Sequence, residues 1–261
     1  MEIDLRDRVA IVTGAGRGIG REIARTLAAE GVTVVATDIT QNQLDEIAAE
    51  WKQNGWAGQQ YLCDVTSSDE VLAVVHAIDQ SIGRIDILIN NAGIAGGSMV
   101  ETMDDDVWQA NLSVNLSGTM KMCRAVIPAM KRQQAGRIIN AASFAAIIPS
   151  VGGAAYAASK AGVESLTRVL AGELGPFGIT VNCYAPGMIP TEMNHFAERE
   201  TGEQQRLLDT LSLRRWGEPR DVANLVCFLA SDLASYITGT MIDVSGGKFA
   251  TQMPWRAHRK P

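Results

Sequence analysis

The chain has 261 residues, of which 46% are hydrophobic and 20% charged, as in ordinary globular proteins, and its length suits one large α/β core. Its formal net charge of -6 argues against nucleic-acid binding, which needs clustered Lys and Arg. The four cysteines form no C-x-x-C pair and have no neighbouring His, so we predict neither a metal site nor a disulfide framework.

The first half of the chain alternates short apolar runs with amphipathic stretches. A short apolar run that ends in glycines predicts a strand buried on both faces. The strands predicted in this way cover residues 8–13, 32–37, 59–63 and 85–89. The helices predicted between them begin near Ile19 and cover residues 41–53 and 68–82. Strands separated by single helices imply right-handed parallel crossovers and a sheet covered on both faces.

The second half continues this alternation with longer helices. Helices are predicted at 104–115, 116–133 and 154–174, the last closed by Gly175-Pro176, and strands at 136–141 and 179–184. Residues 188–210 lack a strand signal and stand where an active-site lid would be inserted. A helix near 221–229 and a strand near 241–244 follow. Because no repeat or Pro/Ser linker interrupts the chain, we predict a single domain, with a substrate lid near 188–216 and a C-terminal tail at 249–261.

Neither a targeting nor a membrane segment is predicted. The first eight residues alternate charged and apolar side chains, whereas a signal peptide needs a basic start followed by a continuous apolar stretch. No stretch approaches the roughly 18 uncharged apolar residues of a membrane span. We therefore expect a cytoplasmic protein without contact to membranes.

A glycine-rich turn, Thr13-Gly14-Ala15-Gly16-Arg17-Gly18-Ile19-Gly20, joins the first predicted strand to the first helix. This position directs backbone N–H groups and the helix dipole toward a pyrophosphate. The strict G-x-G-x-x-G pattern is not met, because Ile19 stands where the third glycine would fall. A tight turn that only allows close packing remains an alternative, whereas the missing Gly-Lys-Ser/Thr excludes a Walker-type loop.

Asp38 lies at the end of the second predicted strand, about 20 residues past the glycine turn. A carboxylate at this place can accept hydrogen bonds from the adenosine ribose hydroxyls and repel a 2′-phosphate. This favours NAD over NADP, although Arg17 could partly offset the repulsion. The alternative role for Asp38 is to cap the following helix.

Five motifs follow one another along the chain. They are the glycine-rich turn, Asn90-Asn91-Ala92-Gly93, Ser143, Tyr156-Ala-Ala-Ser-Lys160 and Pro186-Gly187. In order and spacing they resemble the classical short-chain dehydrogenase/reductase family over about residues 5–250. The resemblance implies a single-domain Rossmann-type doubly wound parallel α/β sheet of about seven strands. It also implies a nicotinamide cofactor, here NAD, and hydride transfer to or from an alcohol/carbonyl pair.

The predicted catalytic group centres on Tyr156 and Lys160, which project from one face of a helix because they are four residues apart. A nearby ammonium should lower the pKa of the tyrosine, which can then exchange the hydroxyl proton of the substrate. The resemblance implies that Lys160 holds the nicotinamide ribose and that Ser143 bonds the reacting oxygen. It also implies that Asn115 supports a proton-relay water, with which a kink-forming role is compatible. An exposed helical pair and a strand-end cap are the structural alternatives.

The same resemblance extends to the remaining cofactor contacts, which include the adenine, ribose and carboxamide subsites. The residues implied are Gly14, Arg17, Gly18, Ile19, Gly20, Asp38, Ile39, Asp64, Val65, Asn91, Ala92, Gly93, Tyr156, Lys160, Pro186, Gly187, Ile189 and Thr191. For any one of them, strand-end turn chemistry is the alternative.

The substrate pocket is expected from residues 144–153 and 188–216. His195 and four arginines in the second range could contact substrate, or they could simply be solvated: Arg199, Arg206, Arg214 and Arg215. NAD preference points toward a sugar, polyol or alcohol as substrate. The alternative is a 3-oxoacyl thioester reductase, a branch that the sequence resembles but that Asp38 argues against. A non-catalytic NAD-binding scaffold or sensor is a more distant alternative.

The resemblance further implies a homotetramer that packs through helices 116–133 and 154–174. The tail at 249–261, which contains Trp255, either reaches a neighbouring subunit or frays in solvent.

Overall fold

Seven parallel strands form one sheet in the computed structural model, which describes residues 3–194 and 196–258. The strands are β1 (Val9–Thr13), β2 (Thr33–Asp38), β3 (Gly58–Leu62), β4 (Ile87–Asn90), β5 (Gly136–Ala141), β6 (Ile179–Pro186) and β7 (Met241–Val244). Their order is β3-β2-β1-β4-β5-β6-β7, with Ala10 of β1 in register with Val34 of β2 and Ile87 of β4. The predicted Rossmann-type parallel α/β fold of about seven strands is confirmed.

The described residues form eight α-helices. They are α1 (Gly18–Ala29), α2 (Gln41–Asn54), α3 (Ser68–Ser81), α4 (Asp105–Asn111), α5 (Thr119–Gln133), α6 (Ala154–Leu174), α7 (Thr201–Leu208) and α8 (Pro219–Ala230). Most predicted boundaries agree with these bounds to within two residues. The segment 188–210, where a lid was predicted, contains helix α7 and, among its described residues, no strand.

The apolar core lies in two layers, one on each face of the sheet. Ala10 and Val12 pack against α1, α2 and α8, whereas Val9 and Ile11 pack against α3, α5 and α6. Because successive side chains of a strand point to opposite faces, a strand covered on both sides is apolar at nearly every position. This is why β1 is a continuous apolar run in the sequence.

The order of the strands also places a crevice at one edge of the sheet. The chain runs outward from β1 to β3 on one side and from β4 to β7 on the other. The loops that follow β1 and β4 therefore leave in opposite directions and open a gap at the carboxyl ends of these strands.

The prediction of two separate helices at 104–115 and 116–133 was wrong. A π-helical segment, Leu112–Gly118, joins α4 to α5 without a break. Asn115 lies inside this segment, fully buried, and its side chain hydrogen-bonds the backbone of Ile94. Such wide turns often occur at functional sites, where they place a side chain that a regular helix would point elsewhere.

None of the helices formed by the described residues is long and apolar enough to cross a bilayer. Nor do these residues bring three or more His, Cys, Asp or Glu side chains together where they could hold a metal ion.

The four cysteines are buried free thiols, and they predict a loss of stability at alkaline pH. Burial raises the pKa of Cys63 and Cys183 from 9.0 to about 11, and that of Cys123 and Cys227 to about 12. Above pH 9 the unfolded chain therefore binds fewer protons than the native chain, so the free energy of unfolding should fall. Lys160, whose pKa burial lowers from 10.5 to about 8, and Lys248, whose pKa burial also lowers, act in the opposite direction, but they are two groups against four thiols.

Urea unfolding under reducing conditions, repeated from pH 7 upward, would measure this dependence. We expect the free energy of unfolding to decline from about pH 9. A value that stays level or rises through this range would show that the thiols do not dominate.

Candidate active site

A cleft of about 1110 Å³ opens at the carboxyl ends of β1 and β4. It is lined by every residue for which a cofactor contact was predicted: Gly14, Arg17, Gly18, Ile19, Gly20, Asp38, Ile39, Asp64, Val65, Asn91, Ala92, Gly93, Tyr156, Lys160, Pro186, Gly187, Ile189 and Thr191. The predicted catalytic residue Ser143 lines it as well, whereas Asn115 lies behind its wall. Residues spread between positions 14 and 196 of the sequence thus meet in a single cavity.

The glycines of the glycine-rich turn fall into two groups. Some allow close packing of the backbone, whereas Gly18 borders open space in the cleft. A Cβ on Gly14, whose φ is +61°, would lie 2.8 Å from Ala92 Cα, and one on Gly20 would lie 2.1 Å from the Gly14 carbonyl oxygen. These two glycines allow the turn to pack against the loop after β4. Gly18, by contrast, has a φ of +56° and meets only the Thr191 side chain, at 3.6 Å.

Helix α1 begins at this turn and leaves its first N–H groups without a side-chain cap. Its N-cap residue, Arg17, makes no capping hydrogen bond, and no acidic residue stands in its first turn. Helices α3 and α4, in contrast, are capped by Ser67 and Asp104 and carry acidic residues in their first turns. An uncapped helix N-terminus at a cleft suits the phosphates of a dinucleotide.

Asp38 holds the turn from the end of β2. Its Oδ2 accepts a hydrogen bond from the Gly16 N–H at 2.9 Å, and its Oδ1 accepts one from the Thr40 N–H at 3.1 Å. The N-cap of α2 is Thr40, so Asp38 does not cap that helix. A carboxylate accepts about four hydrogen bonds, which leaves capacity for two ribose hydroxyls.

Arg17 faces a carboxylate of the lid. Its guanidinium lies 2.7 Å from Glu192 Oε2, and both side chains are more than half exposed. Glu192 therefore competes for the positive charge that could have offset the effect of Asp38 on a 2′-phosphate.

Tyr156 and Lys160 lie on one face of α6, as their spacing predicted. Lys160 Nζ is 5.8 Å from the centre of the Tyr156 ring and donates a hydrogen bond to the Ala141 carbonyl at 2.8 Å. Burial lowers the pKa of Lys160 to about 8. Burial also raises the pKa of Tyr156, against the sequence-based expectation of a lowered value, and hydrogen bonding to Ser143 acts in the opposite direction. The cost of burying the phenolate therefore outweighs the hydrogen bond with Ser143.

Ser143 stands where β5 ends. Its buried hydroxyl accepts a hydrogen bond from the Ala145 N–H at 3.1 Å and so caps the short 3₁₀ turn Phe144–Ala146. Ser143 therefore does cap a turn at the end of a strand, as the structural alternative stated. It also lies beside Tyr156. The cap fixes the hydroxyl in the cleft.

Asn115 acts as a buried brace in the structure. It accepts a hydrogen bond from the Ile94 N–H at 2.9 Å and donates to the Ile94 carbonyl at 3.0 Å and to Ser159 Oγ at 2.9 Å. These contacts tie the π-helical segment to α6 and to the loop after β4. The proton-relay role of Asn115 stays a prediction.

Sequence reasoning missed a hydrogen-bond chain that supports the glycine-rich turn. Thr13 Oγ1 accepts from the N–H groups of Asn91 and Ala92 at 3.0 Å each. The Asn91 amide donates to the carbonyls of Thr13 and Gly14 at 3.1 Å each. Tyr184, which is 0% exposed, donates its hydroxyl hydrogen to Asn91 Oδ1 at 3.1 Å. The only signal in the sequence was a tyrosine inside an apolar strand, where its hydroxyl needs a partner.

Replacing Tyr184 with Phe should therefore weaken the turn. It leaves Asn91 Oδ1 without this donor, which costs about 1–3 kcal/mol for a buried acceptor. We expect a lower melting temperature and a higher KM for the cofactor with little change in kcat. Tyr61→Phe is the matched control, because the Tyr61 hydroxyl donates locally to Gln59 Oε1 at 2.8 Å. Equal effects of both variants on the cofactor KM would contradict the role of Tyr184.

The segment 188–216, for which a lid was predicted, contributes apolar side chains to the cleft. Met193 and Phe196 line it, and the Phe196 ring stacks on Trp216 with centroids 5.9 Å apart. From the other predicted pocket segment, Phe144, Ala145 and Ser150 also line it.

The four lid arginines do not line the cleft. Arg199 pairs with Glu203, Arg214 with Asp209 at 2.8 Å, and Arg215 with Asp221 at 2.9 Å. These pairings favour the interpretation of the arginines as surface charges. His195 lies outside the described residues, as do residues 259–261 of the tail; Trp255 lies in a 3₁₀ turn, Pro254–His258.

A comparison with protein-family models matches residues 14–248 to a model described as enoyl-(acyl carrier protein) reductase. Among curated proteins, the chain is 40% identical over 249 residues to the 3-oxoacyl-(acyl-carrier-protein) reductase FabG of Pseudomonas aeruginosa. This alignment covers 95% of the chain and 99% of that relative.

Two solved structures extend the comparison to dehydrogenases. A candidate gluconate dehydrogenase from Agrobacterium tumefaciens matches with a TM-score of 0.93 and 28% identity, over 96% of the chain and 99% of its own length. A candidate NAD(P)-dependent gluconate 5-dehydrogenase from Beutenbergia cavernae, with NADP bound at low occupancy, matches with a TM-score of 0.91 and 34% identity, over 95% and 99%.

Proposed function

The chain belongs to the classical short-chain dehydrogenase/reductase family, and on that premise we propose that it transfers a hydride between NAD and a secondary alcohol or carbonyl. One observation carries this proposal. Tyr156, Lys160 and Ser143 meet in the same cleft as the glycine-rich turn and Asp38. A proton-transferring group and a dinucleotide cradle in one cavity are what such a reaction needs.

The residues of the site divide the chemistry among them. A bound nicotinamide supplies the carbon that takes or gives the hydride. In oxidation Tyr156 takes the hydroxyl proton of the alcohol, and in reduction it returns a proton to the carbonyl oxygen. Ser143 hydrogen-bonds that oxygen and holds it beside the phenol. Lys160, fixed by the Ala141 carbonyl, places an ammonium near the phenol, where it favours the phenolate as charge develops.

The preference for NAD rests on Asp38. Its carboxylate is held at the end of β2 by the N–H groups of Gly16 and Thr40, and it faces the cleft as an acceptor of ribose hydroxyls. A 2′-phosphate at the same place would meet this negative charge. Because Arg17 pairs with Glu192, its positive charge offsets less of the repulsion between Asp38 and a 2′-phosphate.

Two substrate classes are supported by different observations. The preference for NAD and the gluconate dehydrogenases among the structural neighbours support a sugar, polyol or related hydroxy compound. The FabG relative, at 40% identity, supports a 3-oxoacyl thioester.

Initial rates with NAD and NADP against sugars, polyols and secondary alcohols, together with reduction of a 3-oxoacyl thioester, test this function. We expect turnover with NAD in at least one class. Binding of NAD without turnover of any substrate would instead favour a non-catalytic sensor.

We also propose a homotetramer that packs through α5 and α6, whose exposed face includes Val169 and Gly172. Light scattering would measure the mass of the assembly, and a monomeric mass would contradict it. A cytoplasmic location and the tail contact with a neighbouring subunit stay predictions.

A further inference from the structure

We propose that the substrate is an uncharged secondary alcohol or ketone with an apolar arm, and that this arm lies across a rim of exposed apolar side chains beside the cleft. The proposal rests on hydride transfer at Tyr156 and narrows it to one class of substrate. The rim consists of Met99, Val100, Ile147, Ile148 and Val151.

The charges of the cleft leave no dedicated partner for a substrate carboxylate. Among the described residues, five charged side chains line the cleft: Arg17, Asp38, Asp64, Lys160 and Glu192. Arg17 and Glu192 pair with each other, and Lys160 donates to the Ala141 carbonyl. The two remaining charges, those of Asp38 and Asp64, are both negative. Burial of a carboxylate without a counter-charge is costly, so a sugar acid fits this cleft poorly.

The wall around Ser143 is also poor in hydrogen-bonding side chains. The 3₁₀ turn and the lid supply Phe144, Ala145, Met193 and Phe196. Polar side chains of the segments 144–153 and 188–216 also line the cleft, among them Ser150, with one hydroxyl, and Asn194, whose amide already bonds the Thr191 N–H and the Ile189 carbonyl. A polyol carries a hydroxyl on nearly every carbon, and each of them needs a partner when it leaves water. An apolar arm makes no hydrogen bonds with water, so it loses none when it moves into the cleft.

The rim continues the apolar wall to the surface. The Phe144 carbonyl, inside the cleft wall, accepts hydrogen bonds from the N–H groups of both Ile147 and Ile148 at 3.0 Å. Val151 is 89% exposed and follows Ser150, which lines the cleft. Apolar side chains therefore run from the reacting centre outward along one loop.

A second loop widens the rim. Gly97 packs so closely on the first loop that a Cβ there would lie 2.1 Å from the Gly152 carbonyl oxygen. Met99 and Val100, which follow it, are exposed, Val100 by 73%. Because the two loops touch, the five exposed apolar side chains of the rim stand on neighbouring segments, and clustered exposed apolar residues are typical of ligand-binding surfaces.

Reduction of an unbranched ketone series by NADH tests the proposal: 2-butanone, 2-hexanone, 2-octanone and 2-decanone, beside a keto-sugar and a keto-sugar acid. We expect kcat/KM to rise by about fourfold per buried methylene and to exceed the values for both sugars. If either sugar is reduced as fast as the best ketone or faster, hydride transfer is supported, but the proposal of a substrate with an apolar arm is wrong. If no ketone, no sugar and no 3-oxoacyl thioester is reduced although NADH binds, the proposed function itself fails.

A pair of charged variants locates the arm. Val151→Asp should flatten the dependence on chain length, because the added methylenes would meet a carboxylate. Leu72→Asp, at an exposed position of α3, is the control and should keep the dependence of kcat/KM on chain length. An unchanged dependence in Val151→Asp would overturn the rim as the binding surface. A change only in the oligomeric mass would assign the rim to a subunit contact and overturn it likewise.

Discussion

Tyr156→Phe is expected to lower kcat by about 10²–10⁴-fold, the usual contribution of a positioned general acid or base. The variant removes the one hydroxyl that can exchange a proton with the substrate oxygen beside Ser143 while keeping the ring near Lys160. Cofactor affinity should change little, because the glycine-rich turn and Asp38 are untouched. Rapid-mixing kinetics of NADH formation, with a separate titration of NADH binding, would measure both quantities.

Tyr236→Phe is the matched control, because the Tyr236 side chain is fully exposed. It should leave kcat unchanged. If Tyr156→Phe kept wild-type kcat, Tyr156 would not be the acid/base and the assignment of the catalytic group would be wrong.

The second large effect is expected at the cofactor site. Asp38→Asn removes the negative charge but keeps the shape of the side chain and one acceptor oxygen. Hydrogen bonds to a charged group contribute about 1.5–3 kcal/mol, so kcat/KM for NAD should fall by roughly 10- to 100-fold. The value for NADP should rise, because the repulsion of the 2′-phosphate is gone.

The ratio of the two cofactor efficiencies separates this effect from general damage. Asp64→Asn serves as control, since Asp64 is a second carboxylate that lines the cleft after a strand and accepts the Thr66 N–H at 2.8 Å. It should change both cofactors by similar factors. An NADP/NAD ratio that stays constant in Asp38→Asn would show that another group selects the cofactor.

Much of the fold could be predicted because its signals are local. Apolar runs predicted the central strands, since a strand buried on both faces is apolar at most positions. The edge strand β3 is only partly buried. The glycine-rich turn and the residues at strand ends gave the cleft, since parallel strands end at one edge of the sheet.

The errors and omissions share a different origin. In the π-helical segment Asn115 bonds Ile94, 21 positions away, and the support of the turn includes a bond from Tyr184 to Asn91, 93 positions away. The Arg17–Glu192 pair spans 175 positions. The raised pKa of Tyr156 depends on burial, which only the packed structure shows. None of these contacts leaves a periodic or local signal in the sequence.

The central claim, hydride transfer between a nicotinamide and a carbonyl carbon at Tyr156, is tested most directly with NADH deuterated at the transferable position. Mass spectrometry of the alcohol formed from an accepted ketone should find deuterium on the carbinol carbon, with a slower transfer step than for unlabelled NADH and almost none of the product with Tyr156→Phe. Binding of the labelled NADH without transfer of deuterium to any ketone or thioester would contradict the account and leave a dinucleotide-binding protein without this chemistry.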